Sequence, residues 1–155
     1  MTDSTKMLAL DTTVARVPAQ SRKRVLQLLS DLLAAQNAEL SERAIFEALM
    51  ARERLGSTGI GEGVAIPHCR TVCDRIYSAF FQLEAAVDYD APDEQPVDLV
   101  YLLVVPEGEQ NAHLTMLAQL AAVFNDADNR ARLRECETDE ALYHQMSGLL
   151  QQHAA

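Results

Sequence analysis

The chain has 155 residues and a mass of 17.1 kDa, the length of one globular domain, with 48% apolar and 23% charged residues. That balance supports a buried core and excludes compositional disorder. Thirteen Lys+Arg against 23 Asp+Glu leave a net charge of −10, which argues against a nucleic-acid surface, since phosphate backbones are held by clustered cations. Three cysteines cannot pair completely, and no apolar run approaches the ~20 residues of a bilayer span. The start, MTDSTKMLAL, lacks the apolar region and cleavage site of a signal peptide. The expectation is a cytoplasmic protein in a reducing compartment, with no nucleic-acid partner and no membrane insertion.

Taken in order, Thr13 to Val17 alternates as a strand does. Ser21 is a helix N-cap, and Val25, Leu28, Leu29, Leu32 and Leu33 repeat at the spacing of one buried helical stripe to about Gln36. A second helix is expected from Ser41, with Ile45, Ala48 and Leu49 inward, ending near Leu55-Gly56 before a Gly-rich loop. Val64 to Ile66, Ile76 to Leu83 and Val97 to Val105 read as strands, the first stopped by Pro67. The last is apolar at eight of nine positions, so it must be covered on both faces. Tyr89 to Asp93 and Pro106 to Gly108 are turn-forming. The final third predicts three helices: one with Leu114, Leu117, Ala118, Ala121 and Phe124 inward, one over Asn129 to Cys136, and one from Thr138 to about Gln151. The fold class is therefore α/β, a mixed central β-sheet sandwiched between helical layers (three-layer αβα). One domain over residues 1–155 is expected, with an ordered core of about 8–150 and short flexible termini.

The segment from Arg52 to His68 carries glycines at 59, 61 and 63. A dinucleotide fingerprint needs its third glycine one place later, a strand before it and a helix after it. A P-loop needs Gly-Lys-Ser/Thr, which is absent. There remains His68, held by Pro67 at the end of a buried strand, where ligands tend to sit in open α/β sheets. On these features alone, a structural histidine is as good a reading.

The stretch ARERLGSTGIGEGVAIPH (Ala51 to His68) resembles the phosphorylation-site motif of enzyme IIA proteins of the bacterial phosphotransferase system, in the fructose and mannitol superfamily, and within it the nitrogen-regulatory type. The likeness continues through SRKRVLQLLSDLLA (Ser21 to Ala34), QPVDLVYLLVVPE (Gln95 to Glu107) and HLTMLAQLA (His113 to Ala121), spanning roughly residues 8 to 150. It implies that His68 accepts a phosphoryl group through Nε2 from a phosphorylated HPr-like histidine phosphocarrier. Neutral imidazole suits this at cellular pH. It implies a second active-site histidine, His113, at a helix start where anions are welcome, and Arg52 as the planar fork for phosphoryl oxygens. Without the resemblance, His113 reads as a helix-terminal surface residue and Arg52, Glu53 and Arg54 as a solvated helix face. Ser57, Thr58, Gly59, Gly61 and Gly63 are expected to support the phosphate pocket, the glycines by letting the carrier approach.

The implied function is a phosphotransferase component, mainly regulatory, whose phosphorylation state controls targets such as potassium transporters or sensor kinases. A sugar-specific transport IIA and a non-phosphorylated protein-binding module are the alternatives. No cofactor and no metal are expected. A zinc set of His68, Cys69, Cys73 and His113 has the wrong spacing, and a Cys69 nucleophile paired with His113 lacks a third group. Cys69 stands where many relatives carry Gly, so its side chain is expected to narrow the partner's approach or strain the backbone, and to be oxidisable. Cys73, Cys136, His144 and His153 read as structural or incidental.

Overall fold

A computed structural model describes residues 8–108 and 112–153; the extreme termini and the Gln110-Asn111 lead into the helix of His113 lie outside the described residues. Helix α1 (Arg22–Gln36) begins where Ser21 accepts a hydrogen bond from the Arg24 amide at 3.1 Å, and α2 (Glu42–Arg54) where Ser41 accepts from Ala44 at 3.1 Å. Each hydroxyl satisfies an amide that the helix leaves free. The buried stripe of α1 is Val25, Leu26, Leu29, Ser30 and Leu33. It is turned from the expected one: Leu28 and Leu32 are half-buried, while Ser30 enters the core by returning its hydroxyl to the Leu26 carbonyl at 2.8 Å.

The sheet contains β1 (Thr13–Val17), β2 (Gly59–Gly61), β3 (Val64–Ala65), β4 (His68–Thr71), β5 (Tyr77–Val87) and β6 (Val97–Pro106), in the order β1-β5-β6-β3-β2, with β4 also paired to β6. β5 runs antiparallel to β6, whereas β1 is parallel to β5 and both β3 and β4 are parallel to β6. β6 is central, as its apolar run requires. The expected Gly-rich loop is a hairpin instead: β2 pairs antiparallel with β3, and the turn takes positive φ at Gly61, Glu62 and Gly63.

Alternation along the strands divides the core in two. Ala79, Phe81, Val100, Leu102 and Val104 pack with α1 and α2. Phe80, Leu99, Tyr101 and Leu103 pack with α3 (Ala112–Asn125), α4 (Ala127–Glu135) and α5 (Asp139–Gln152). In α3 the inward residues are Met116, Gln119, Leu120, Val123 and Phe124, while Leu114, Ala118 and Ala121 are exposed, so the expected stripe is out of phase. Asp126 and Thr138 cap α4 and α5. No helix among the described residues is long and apolar enough to cross a membrane.

The strand breaks at Ile66-Pro67, but its register does not. Ala65 pairs with Val100 and His68 with Leu103, one unbroken offset, and the Leu103 amide donates to the Pro67 carbonyl at 3.0 Å. Proline removes a donor from the ladder but leaves its acceptor. His68 therefore opens a second strand segment alongside the central strand.

Candidate active site

This continuation fixes where each neighbour of His68 points. His68 and Arg70 share one face of β4, and Cys69 takes the other. Cys69 is buried in the core of α1 and α2, its φ is not positive, and burial pushes its thiol up to about 12. It therefore neither strains the backbone nor offers a thiolate, contrary to the expectation for this position. Its side chain reaches the edge of the His68 cleft from that face, and no group of His, Cys, Asp or Glu able to hold a metal forms among the described residues.

The His68 ring is oriented by its own chain. Nδ1 lies 2.9 Å from the Ile66 carbonyl, which can only accept, so Nδ1 carries the proton and Nε2 keeps its lone pair in the neutral ring. Around it is a cleft of about 510 Å³, walled by Ala48, Ala51, Arg52 and Leu55 of the α2 end and by Val105 of β6. Cys69, Arg70 and His113 complete the lining. Among the described residues no carboxylate lines it, although the chain carries −10. Arg52 spends one N–H on the Gly56 carbonyl at 2.8 Å, and among the described residues neither Arg52 nor Arg70 has a carboxylate partner.

His113 is half-buried as the second residue of α3. Burial, then the charges of Arg70 and His68, hold its pKa below the ordinary histidine value, and its buried Nδ1 has no partner among the described residues. A neutral imidazole is thus favoured. Leu55, which lines the cleft, is 84% exposed, and two further exposed apolar side chains stand close to site residues in the chain, Val72 after β4 and Leu114 next to His113.

The end of α2 is held from below by Glu53, whose side chain is 1% exposed. Its carboxylate accepts from the Thr58 amide at 3.0 Å, the Thr58 hydroxyl, the Tyr89 hydroxyl at 3.2 Å and Arg22 at 3.5 Å. Arg22 also stacks over the Tyr89 ring and donates to its carbonyl, as does the Ser57 hydroxyl. A buried carboxylate is tolerable only with such saturation.

Of the expected site residues, Arg52, His68 and His113 come together. Ser57, Thr58, Gly59, Gly61 and Gly63 do not line the cleft. Ser57 and Thr58 belong to the Glu53 clamp. Gly59 lies against Ala91, where an added Cβ would come within 2.9 Å of the Ala91 side chain, Gly61 faces Asp93, and Gly63 underlies Arg134 and Asp98. Their spacing serves the hairpin's backbone and close packing. Arg70, which also lines the cleft, was not expected there because Pro67 was read as a strand end; a register continuing past it would have put residue 70 beside His68.

A family model described as "Phosphoenolpyruvate-dependent sugar phosphotransferase system, EIIA 2" matches residues 6–148. The chain is 50% identical over 131 residues to a nitrogen regulatory protein of Pseudomonas aeruginosa, covering 84% of this chain and 85% of that one. It is 42% identical over 139 residues to a nitrogen regulatory protein of Escherichia coli, covering 88% and 85%. The crystal structure of nitrogen regulatory protein IIA-Ntr from Neisseria meningitidis superposes with a TM-score of 0.83 at 35% identity, covering 95% of this chain and 98% of that one. With the mixed sheet, its two helical layers and the motif around His68, these likenesses show that the chain belongs to the EIIA 2 family of the phosphotransferase system, among its nitrogen-regulatory members.

Proposed function

We propose that this protein is a cytoplasmic phosphohistidine carrier and regulator, charged on His68 by a phosphorylated HPr-like carrier and controlling partner proteins by its phosphorylation state. The observation that carries the reading is the Nδ1 contact to the Ile66 carbonyl, which leaves Nε2 as the nucleophile in a cleft that no carboxylate lines among the described residues. In the transfer, the Nε2 lone pair attacks phosphorus while the carrier's N–P bond breaks and returns its electron pair to the carrier's ring. The charge that develops on His68 is held by Nδ1–H against Ile66 O. Arg52 meets the phosphoryl oxygens through its remaining N–H groups, and neutral His113 supplies a further ring nitrogen. Such a reaction needs positioning and charge stabilisation more than covalent help.

The regulatory reading is favoured over sugar transport by the relatives of highest identity given above, both nitrogen regulatory proteins. Its targets would be proteins such as potassium transporters or sensor kinases. The exposed apolar side chain of Leu55 at the cleft suits protein docking. A partner on this face meets two guanidinium groups without a carboxylate partner among the described residues before phosphorylation, and a dianion of nearly cancelling charge afterwards. Intact-mass spectrometry after incubation with phosphoenolpyruvate, the first enzyme of the system and the histidine carrier tests this. Gain of one acid-labile phosphoryl group, absent in His68→Ala, is expected. No gain from a demonstrably phosphorylated carrier would favour the non-phosphorylated binding module.

A further inference from the structure

We propose that Arg70 is a phosphoryl-binding residue, gripping the group on His68 from the side opposite Arg52; this rests on the carrier reading above. His68 pairs with Leu103 and Arg70 with Val105, so the two stand one two-residue step apart, ~7 Å, on one face of β4. Both line the same cleft, and Arg52 lines it from α2. The two arginines differ in readiness. Arg52 is anchored to the Gly56 carbonyl, whereas Arg70 is exposed and, among the described residues, has neither a hydrogen bond nor an ion pair. An unpaired guanidinium beside the nucleophile is available to form two parallel bonds to phosphoryl oxygens. Arg70 also stands close enough to His113 for its charge to act on that ring, so it belongs to the His68–His113 constellation rather than to the outer rim.

An arginine here has two separable jobs, holding the phosphoryl group or touching the partner protein. Thermodynamics separates them. The equilibrium constant for transfer between free carrier and free IIA depends only on the four separate species, so a residue that acts only within the complex changes both rates and leaves that constant unmoved. A residue that binds the phosphoryl group in the free phosphoprotein shifts it.

The experiment brings wild type, R70Q and R70K to equilibrium with the phosphorylated histidine carrier and quantifies both phosphoproteins by intact mass. Melting curves establish that the variants are folded. For R70Q the constant is expected to fall roughly tenfold toward the carrier, the size of one hydrogen bond to a charged group, with R70K recovering part of the loss. An unchanged constant in folded R70Q, whether or not transfer is slower, overturns the assignment and makes Arg70 at most a docking residue. Failure of the wild type to take the phosphoryl group overturns the carrier reading itself, and this one with it.

Discussion

His68, Cys69 and Arg70 are three consecutive residues with three fates, decided by which face of a strand each one takes. His113 completes the set, and its protonation state is where the electrostatics of the cleft become measurable. Burial first, then the Arg70 cation and the neighbouring His68 ring, disfavour the imidazolium, so its pKa lies below the ordinary 6.5 and the neutral ring persists to lower pH than in a free histidine. A phosphoryl dianion on His68 reverses the local charge and raises that pKa. NMR titration should give a His113 midpoint below 6.5 in the unphosphorylated protein and a higher one after phosphorylation. A midpoint at or above 6.5 before phosphorylation would contradict this picture. At this scale the sequence motif located Arg52, His68 and His113, but the tautomer of His68 depends on a carbonyl two residues back, which no residue type reveals.

Among the elements, the end of α2 matters most for the site. Arg52-Glu53-Arg54 looks like a charged helix face, yet Glu53 turns inward and is saturated by Thr58, Tyr89 and Arg22, while Arg54 stays exposed. Replacing Glu53 by Ala leaves the Thr58 amide and hydroxyl and the Tyr89 hydroxyl buried without their acceptor, at a cost of about 2–5 kcal/mol. It also releases Thr58, two residues beyond the Gly56 carbonyl on which Arg52 is anchored. Urea unfolding should show that loss, and phosphoryl transfer at temperatures where Glu53→Ala is folded should be slower than in the wild type. A stability change below about 1 kcal/mol would mean that the clamp is not a unit. Element identity was largely legible: Ser21, Ser41 and Thr138 cap as their residue types predict. Phase was not. Over Leu114 to Phe124 nearly every residue is apolar, so two neighbouring stripes look equally buried, and only docking on Phe80 and Tyr101 selects one. Pro67 misled in the other direction, because a proline can sit in a ladder wherever only its carbonyl is needed.

At the scale of the molecule, the fold places the His68 ring in a cleft lined by two arginines on a chain whose net charge is −10. The central strand β6, covered on both faces, supports β4 rigidly. The helical layers bring Arg52 to the cleft from one side of the sheet and His113 from the other. The sandwich was readable from the doubly apolar Val97 to Val105 run; the convergence of the two layers on His68 was not, because it depends on pairing between residues some 35 apart. The central claim is that the Ile66 carbonyl selects Nε2 as the phosphoryl acceptor. Long-range ¹H–¹⁵N correlation spectra of the phosphorylated protein test it most directly, since they distinguish the two ring nitrogens. Phosphorus on Nε2 of His68, with Nδ1 protonated, is the result the geometry requires; phosphorus on Nδ1, or on any other residue, would contradict it.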